Sequence, residues 1–373
     1  MTVPARTVPA LTVPARASFT TTVCTDGREF GQLSEEWGDL HRRCTAATPF
    51  QHHAWLHSWW TSYGTPGRLR VVLVRESGRL VAAAALHRVR GVVPVLTPLG
   101  GAITDFSDVL LDDRSEAAAA VLTEALAGLA RSAVIDFREV RPEAAVLRVR
   151  ALWDGPSRLL PDSMCLELPA VPMDRLVQRL PSSRAQRTRA KLRKLDAIGI
   201  GLREVGAEEV PAALDRLLTL HQRQWQDRGV TPEHLSERFA GHLKQAVAPM
   251  VACGDARLTE FSIDGEVVAS DLTLISPRLA GGYLYGADPG LRTRKVDVAT
   301  LLLRHCAQEA STGGQATLSM LRGTEPYKNH WCPDPVGNHR VLLARRRFTP
   351  AIMGLTAQIR GRIWARDTLR GRL

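Results

Sequence analysis

Ten residues near the end of the chain, RGTEPYKNHW at 322–331, concentrate side chains that bind anions and move protons. The segment holds two cations, a carboxylate, a phenol, an imidazole and an indole, and it follows an apolar run. Arg322 is able to hold an acidic substrate group through two parallel hydrogen bonds. So much polar chemistry after a core strand indicates a functional site. The alternative to a functional role is a structural one, in which the Tyr327 ring packs against other side chains and its hydroxyl only forms a hydrogen bond.

A general base is harder to find in the sequence. Asp271 lies within the apolar run VVASDLTLIS, where a charge is costly unless it is paired. Burial would raise the pKa of this carboxyl group towards a value useful for accepting a proton. We predict that Asp271 is the base and that Glu325 is the second candidate. A solvent-facing position on an edge strand is the alternative for Asp271.

Positive charge is concentrated in two segments. The net charge is +11, yet residues 175–203 contain nine Lys or Arg and one acid, and residues 340–373 contain nine Arg and one acid. Such segments suit phosphate, nucleic acid or an anionic membrane, although solvated helix faces have the same composition. Four cations of the first segment are predicted to share one helix face that can follow a phosphate backbone: Arg184, Arg187, Lys191 and Lys194.

The second basic segment is predicted to form a C-terminal helix over residues 349–373. Within 353–373, Ile359, Ile363 and Trp364 are opposed by arginines. A helix with this pattern is able to lie on an anionic membrane as a peripheral contact. A helix packed back on the first domain is the alternative.

Length and composition describe a globular protein of two domains. The 373 residues are 45% apolar and 23% charged, without the run of about 18 apolar residues that would cross a membrane. Residues 1–17, a proline-containing near-repeat, are predicted to be a disordered leader and not a secretory signal. The six cysteines form no CxxC pair, so we expect neither a metal nor a disulfide scaffold, and a cytoplasmic location.

Apolar periodicity predicts a first α/β domain over residues 18–165. A helix over 49–64 places Trp55, Trp59 and Tyr63 on one face, which favours core packing over a ligand site. Two β-rich runs flank Ser77-Gly78 and predict a hairpin. Another strand, a helix over 116–130 and a strand over 133–140 follow.

A second domain over residues 166–348 is predicted to repeat that order. Helices are expected over 173–180, 182–199, 210–229 and 234–247, followed by a hairpin turning at Asp264-Gly265. A strand over 280–290, a helix over 296–310 and a strand over 316–321 then lead into the polar segment at 322–331.

Four segments of the chain resemble a known family: PFQHHAWLHSWW, LTLHQRQWQDRG, GYLYGADP and LRGTEPYKNHW, spanning 49–331. Their order of hairpin, strand, loop, helix, strand and tyrosine-bearing helix is similar to that of GNAT acyltransferases. More specifically, the chain resembles the tandem GNAT-like family of BioF-like or cellulose-biosynthesis acetyltransferases. That family is related in fold to the Fem-type aminoacyl-tRNA-dependent transferases. The resemblance implies an α/β (α+β) fold of two tandem GNAT-like domains, each a mixed, largely antiparallel sheet flanked by helices.

The resemblance also implies roles for individual residues. Tyr327 would protonate the leaving group, as a tyrosine commonly does in GNAT enzymes, and Lys328 would stabilise the oxyanion, as in Fem-type enzymes. The donor's pyrophosphate is expected at the helix N-terminus in RTRKVDVATLL, where unpaired N–H groups favour an anion. The predicted donor-binding residues are Arg292, Arg294, Lys295, Val296 and Val298. The predicted substrate-binding residues are Arg322, Glu325, Arg223 and Trp225, with core packing as the alternative for Trp225.

Two positions depart from the family's pattern. Val296-Asp297-Val298 replaces the expected Ser-Pro-Gly turn, so Asp297 is either a plain helix cap or a carboxylate that repels a pyrophosphate. Ser319 stands where family members often carry an acid.

Three functions therefore remain open. The first is an N-acyltransferase that moves an acyl group from acyl-CoA to a small-molecule amine. The second is an aminoacyl-tRNA-dependent transferase of the Fem type, in which the basic helix face would bind tRNA. The third is a non-catalytic accessory protein of polysaccharide or envelope assembly.

Overall fold

A computed structural model describes residues 18–91, 93–226 and 231–370. The predicted leader at residues 1–17 lies outside the described residues. The elements of the first half, in chain order, are β1 (Phe19–Cys24), α1 (Gly27–Gly31), α2 (Ser34–Arg42), α3 (His53–Tyr63), β2 (Leu69–Glu76), β3 (Arg79–Val89), β4 (Val95–Pro98), β5 (Leu110–Leu111), α4 (Ala118–Leu129), β6 (Val134–Val140) and α5 (Val146–Ala151).

A long strand leads into the second half. Its elements are β7 (Ser157–Pro169), α6 (Met173–Gln178), α7 (Ser182–Ile198), β8 (Gly201–Glu204), α8 (Val210–Trp225), α9 (Glu237–Ala252), β9 (Ala256–Ile263), β10 (Glu266–Ile275), β11 (Leu279–Ala287), α10 (Val298–Thr312), β12 (Thr317–Arg322), β13 (Asp334–Leu343) and α11 (Thr349–Arg370).

The two halves share one mixed sheet. Along it the strands run β1-β2-β3-β4-β6-β13-β7-β12-β11-β10-β9-β8, with β5 beside β3. The pairs β4–β6 and β11–β12 are parallel and the other pairs are antiparallel. Each half thus contributes a mixed, largely antiparallel sheet flanked by helices, which confirms the predicted fold class.

Strand β13 joins the halves. It comes late in the chain, yet it pairs with β6 of the first half on one side and with β7 on the other. Because β7 also pairs with β12, a continuous hydrogen-bonded ladder crosses the molecule. The predicted domain boundary between residues 165 and 166 falls inside β7.

Both predicted hairpins are present. Strands β2 and β3 meet at Ser77-Gly78, and strands β9 and β10 meet at Asp264-Gly265. All four turn residues have positive φ, from 49° to 85°, as a type I′ turn requires. Glycine at the second turn position avoids the clash that a Cβ atom would bring there.

The aromatic face predicted over 49–64 packs in the core. Trp55 and Trp59 on α3 are buried, and Trp55 stacks edge-on against His242 of α9, with the ring centroids 4.5 Å apart. The Ser58 hydroxyl lies 2.7 Å from Nδ1 of the same histidine. Helices α3 and α9 therefore bind the two halves together through one shared apolar core.

Helix α11 packs against the sheet. Ile352 and Ile359 are buried against Leu160 of β7 and Leu342 of β13. Ile359 of the predicted apolar stripe thus faces protein, as in the alternative of a helix packed on the first domain, while the peripheral membrane contact stays a prediction. The last three residues of the predicted helix lie outside the described residues. Along the described ranges, no helix combines the length and apolarity needed to cross a bilayer.

Candidate active site

The parallel strands β11 and β12 run together briefly and then part. Their register contains three pairs, from Leu279 with Thr317 to Gly281 with Ser319. Beyond this point β11 is bulged opposite Leu272 and Thr273, and β12 bends away at Leu321 and Gly323, whose φ angles are 57° and 102°. The polar segment at 322–331 begins where the two strands part.

A short 3-10 helix, Lys328–Trp331, follows this bend with Tyr327 as its N-cap. Trp331 is buried beneath it. The Arg184 guanidinium on α7 donates to the carbonyl oxygen of His330 at 3.0 Å, and the Thr188 hydroxyl lies 3.2 Å from His330 Nε2. Helix α7 therefore fixes the segment that carries Tyr327.

The Tyr327 side chain is 49% exposed. Partial burial, the neighbouring phenol of Tyr285 and the carboxylate of Glu325 raise the pKa of the Tyr327 hydroxyl. The phenol therefore keeps its proton at neutral pH and is available as a proton donor, which is the form that an acid catalyst requires.

Lys328 is buried and its ammonium group is fully engaged. Its Nζ donates to the carbonyl oxygen of Arg322 at 2.8 Å and lies 2.7 Å from the Glu325 carboxylate. These contacts shape the loop between β12 and the 3-10 helix. Contact with an oxyanion, the predicted role of Lys328, would require one of these partners to move. Glu325, the second candidate base, is engaged by this ion pair with Lys328.

Arg322 links the two halves. Its Nε lies 2.7 Å from Asp105, its Nη1 lies 3.2 Å from Glu139, and its Nη2 donates to the carbonyl oxygen of Ala102. The guanidinium thus already pairs with two carboxylates of the protein, and binding of an acidic substrate group, its predicted role, would require one of these pairs to open.

Asp271 lies on β10, where its side chain contacts Cys306 of α10, and it is 3% exposed. Burial raises the pKa of this carboxyl group, and the Thr273 hydroxyl donates to it at 2.7 Å. Across the ladder Asp271 pairs with Tyr285, the neighbour of Tyr327. The structure therefore places Asp271 beneath α10 and one strand away from the point where β11 and β12 part.

The N-terminus of α10 is occupied by a carboxylate. Asp297 accepts a hydrogen bond from the backbone N–H of Thr300 at 2.9 Å, and Lys191 Nζ of α7 lies 2.6 Å from its other oxygen. Burial opposes the charge, yet the hydrogen bonds from Lys191 and Thr300 lower the pKa of Asp297. A negative charge therefore already sits where a GNAT-like fold would hold a pyrophosphate.

The predicted donor-binding residues divide into two groups. Arg292, Arg294 and Lys295 are exposed in the loop before α10, where Arg294 pairs with Asp264 at 3.3 Å. Val296 and Val298 pack with the apolar residues between α10 and the sheet, so their side chains support the loop.

The C-terminal end of helix α8 packs against β11. His221 Nδ1 lies 2.7 Å from the carbonyl oxygen of Tyr285, and Gln224 accepts from the backbone N–H of Ala287. Trp225 is half-buried, and its indole N–H has no hydrogen-bond partner among the described residues. Arg223 is exposed in the same turn.

The predicted basic face of α7 is divided. Arg184 and Lys191 flank the buried stripe of the helix and hold the neighbouring segments. Arg187 and Lys194 are exposed and form no ion pair within the described residues. These two cations, with the exposed Arg189 and Arg193, leave a positively charged surface on α7.

A cavity of about 630 Å³ lies beside the paired strands β7 and β13. It is lined by Pro161–Met164 of β7, by Gly323–Glu325 after β12, and by Gly337–His339 of β13. Glu325 belongs both to this wall and to the polar segment that carries Tyr327.

Glu139 lies behind the cavity wall, and the sequence patterns did not predict its role. It is buried on β6 with a φ of 53°, a left-handed conformation that is uncommon for glutamate. The Ser163 hydroxyl and the Asn338 amide donate to its carboxylate, the latter at 3.2 Å. Arg322 contacts its other oxygen. The available signal was the strand AVIDFREV, in which Glu139 is one of three charged residues.

One group of described residues has the donor atoms of a metal site. Atoms of His52, Cys253 and Asp255 lie within 4.8 Å of one another. However, His52 Nδ1 accepts the backbone N–H of Ala54, so the proton of the neutral ring is on Nε2, which faces Asp255 at 3.3 Å. A metal ion on this side of the ring would need a lone pair on Nε2, which the proton occupies. We therefore interpret the group as a hydrogen-bonded contact between the halves.

Comparisons with known proteins identify the fold. Residues 182–329 match the family model described as an acetyltransferase (GNAT) domain. The sequence matches no curated protein. Among solved structures, the chain is similar to FemX, with a TM-score of 0.62 and 11% identity over 84% of this chain and 96% of that chain.

Two further similar structures have TM-scores of 0.54 and 12% identity. One is the C-terminal domain of a putative lysylphosphatidylglycerol synthetase from Agrobacterium fabrum, covering 88% of this chain and 96% of that chain. The other is L-PGS from Bacillus licheniformis, covering 90% and 96%. The chain has a tandem GNAT-like fold related to that of the Fem-type transferases. This confirms the resemblance inferred from the sequence, and the fold implies an acyl donor as co-substrate.

Proposed function

We propose that the chain is an N-acyltransferase that acts where β11 and β12 part. The observation that carries the proposal is that these parallel strands share three residue pairs and then separate beside Tyr327. Backbone amide groups freed by such a separation are able to polarise a donor carbonyl. Tyr327, protonated and half-exposed, is in the form needed to give a proton to the leaving group.

For the donor, we propose an aminoacyl-tRNA. The ion pair of Lys191 and Asp297 at the N-terminus of α10 supports this choice, because the carboxylate competes with a pyrophosphate for the same N–H group. The exposed Arg187 and Lys194 support it too, because two cations on one face of α7 suit a phosphate backbone. Aminoacyl-tRNA is also the donor that the Fem-type resemblance implies.

Acyl-CoA is the second candidate donor. It is favoured by the match of residues 182–329 to a GNAT acetyltransferase domain and by the exposed Arg292 and Lys295 before α10. In that case the Lys191–Asp297 pair would have to open, and Lys191 would turn from the carboxylate to the phosphates.

Binding measurements with the full chain distinguish these donors. We expect binding of unfractionated tRNA that weakens steeply with salt, and no thermal stabilisation by acetyl-CoA. Replacing Arg187 and Lys194 by alanine should weaken tRNA binding. The matched control replaces Arg346 and Arg347, two exposed cations near the start of α11.

Each outcome points to one function. Stabilisation by acetyl-CoA without tRNA binding would replace the proposed donor by acyl-CoA. Equal loss of tRNA binding in the α7 variant and its control would mean that the basic face is not specific. If the chain neither binds tRNA nor is stabilised by acetyl-CoA, a non-catalytic accessory role would be favoured.

A further inference from the structure

Four connections of the chain meet at one end of the sheet. Strands β4, β6 and β7 start at this end, and strands β3 and β13 finish there, as their registers show. The Arg88 guanidinium donates to the carbonyl oxygen of Ser132 at 3.0 Å, and the Trp153 indole donates to that of Ala344, also at 3.0 Å. We call residues 88–91, 130–133, 152–156 and 344–348 together the loop end of the sheet.

The loop end carries a concentrated positive charge. It contains one acidic residue, Asp154, and six arginines: Arg88, Arg90, Arg131, Arg345, Arg346 and Arg347. None of the six forms an ion pair within the part of the chain that the structure describes. By contrast, Arg138 of β6 and Arg340 of β13 pair with carboxylates of neighbouring strands. The same two strands thus neutralise their own arginines and leave those of the loop end without a counter-charge.

Four of these arginines line one cavity. Its volume is about 530 Å³, and its described lining residues are Arg131, Asp154, Arg345, Arg346 and Arg347. Arg345 Nη1 donates to the carbonyl oxygen of Asp154 at 3.4 Å, which holds the loop before β7 against the loop after β13. Four like charges around one concavity repel each other, so an anion that binds among them would stabilise the arrangement. The guanidinium group favours phosphate among anions, because its planar fork matches two phosphate oxygens.

Apolar side chains lie exposed among these cations. Val89 at the end of β3 is 39% exposed, and Leu152 after α5 is 53% exposed. Neither aromatic residue of the loop end is exposed: Trp153 is buried, and Phe348 packs with Ile352 of α11. A surface that binds single-stranded nucleic acid usually presents aromatic rings for the bases to stack on. Aliphatic side chains between arginines instead suit the boundary between lipid headgroups and acyl chains.

We propose that the loop end docks on an anionic membrane surface. Lipid phosphate groups bind to the arginines of the cavity, and Val89 and Leu152 enter the headgroup region beside them. This surface differs from the helical stripe predicted from the sequence, of which Ile359 faces protein. The inference goes beyond the proposed function and does not depend on it.

The docked end lies away from the parted strands. Strand β13 starts just after the polar segment at 322–331 and reaches the loop end ten residues later. At the usual rise of a β-strand, about 30 Å separates the two ends of β13. Contact of the loop end with a membrane would therefore leave the region around Tyr327 open to its substrates.

The test measures binding of the full chain to vesicles by flotation, without an acyl donor or tRNA. One set of vesicles is phosphatidylcholine alone, and the other contains about one-third phosphatidylserine. We expect binding to the anionic vesicles to be at least about tenfold tighter than binding to the neutral ones, and to weaken with salt. Inorganic pyrophosphate serves as the soluble phosphate probe and should compete only weakly.

A pair of double variants tests the arginines. Arg346→Ala with Arg347→Ala should weaken binding to anionic vesicles at least about tenfold. The matched control is Arg114→Ala with Arg175→Ala, which removes the same charge from two exposed arginines outside the loop end. This control should bind the vesicles as the unmodified chain does. All four side chains are exposed or lie in short loops and helix turns at the surface, and thermal melts verify that both double variants fold.

A second pair of variants tests the apolar contact. Leu152→Ser should weaken vesicle binding at least about threefold, because a serine side chain gains little from entering the headgroup region. Leu202→Ser on β8 is the control, since Leu202 is 54% exposed and lies outside the loop end. It should leave vesicle binding unchanged.

Several results would overturn the proposal. These are equal binding to neutral and anionic vesicles, equal losses in the two double variants, and a Leu152→Ser variant that binds as tightly as Leu202→Ser. Uptake of pyrophosphate by a chain that ignores vesicles would replace the membrane by a soluble phosphate ligand. Acyl transfer by a chain that ignores vesicles would leave the proposed function standing and remove the docking surface, and vesicle binding without transfer would do the reverse.

Discussion

Arg322 of the second half lies 2.7 Å from Asp105 of the first half, and the same guanidinium contacts Glu139. We expect Arg322→Gln to lower the free energy of unfolding by about 1–3 kcal/mol, because it leaves two largely buried carboxylates without their cation. Urea unfolding measures the change. Arg304→Gln, which breaks an exposed pair with Asp196, should cost about 1 kcal/mol at most. Equal losses in both variants would show that the Arg322 contacts do not stabilise the joined halves.

The Asp297 carboxylate should exclude phosphate groups from the N-terminus of α10. We expect Asp297→Ala to increase the affinity for CoA about fivefold, roughly 1 kcal/mol, because it removes a like charge and frees Lys191. Removing this helix cap should also destabilise the chain by about 1 kcal/mol. Calorimetric titration with CoA measures the first effect. Asp196→Asn, which alters an exposed carboxylate on α7, is the control, and an equal gain there would indicate a general charge effect.

Tyr327→Phe removes the proposed acid and leaves the ring. We expect turnover to fall at least about tenfold, which corresponds to about 1.4 kcal/mol of activation free energy. Tyr63→Phe provides the control, since it deletes a phenol on α3 that donates to Glu233 and has no part in the proposed transfer. Single-turnover rates with a donor that supports transfer give the comparison. A Tyr327→Phe enzyme as fast as the unmodified chain would exclude the phenol from proton transfer.

Acid should weaken the contact between the halves through His242. Burial lowers the pKa of His242 from 6.5 to about 3, so the folded chain keeps this ring neutral where the unfolded chain takes up a proton. Stability is therefore retained above pH 6.5 and lost as pH falls from 6.5 towards 3. At pH 5 the loss from this group is about 2 kcal/mol relative to pH 8.

Thermal melts between pH 8 and pH 5 check this expectation. His242→Gln cannot titrate, so its melting temperature should fall less over that range than that of the unmodified chain, although it starts lower. His330→Gln is the control, because His330 is only half-buried. A pH response of His242→Gln identical to that of the unmodified chain would show that other groups cause the acid sensitivity.

The sequence predicted those parts of the fold that depend on local patterns. Ser77-Gly78 and Asp264-Gly265 marked both hairpins because a type I′ turn needs positive φ at adjacent residues. Helices α4 and α10 were predicted from their apolar periodicity. Strand β13 was missed because its partners in β6 and β7 are distant in sequence, and such pairing leaves no local signal.

The candidate site was only partly predictable for the same reason. Tyr327 was predicted as a candidate because it stands in a conspicuous polar segment, and its role stays a prediction. The partners of Arg322 were not, since Asp105 and Glu139 belong to the other half of the chain. The pairing of Lys191 with Asp297 likewise depends on how α7 packs beside α10. Spacing along one helix could not show that Lys191 is engaged and Lys194 is exposed.

Gly286 sets the distance between α8 and β11. A Cβ atom there would lie 2.4 Å from the backbone nitrogen of His221 and 2.6 Å from the carbonyl oxygen of Leu217. These are backbone atoms, so the helix would have to shift away from the strand, and the contact of His221 with the Tyr285 carbonyl would be lost. We expect Gly286→Ala to cost about 2–4 kcal/mol of unfolding free energy, as overpacking and a lost hydrogen bond add together.

Gly241→Ala on α9 is the matched control for that substitution. Among the described residues, no atom outside the neighbouring backbone of α9 lies within 4 Å of the added Cβ, so the change should stabilise the helix by up to about 1 kcal/mol. Urea unfolding of both variants measures the difference. Because β11 carries Tyr285 beside Tyr327, Gly286→Ala should also reduce acyl transfer at temperatures where the chain is still folded. A stable Gly286→Ala variant with full activity would mean that α8 can move without disturbing the parted strands.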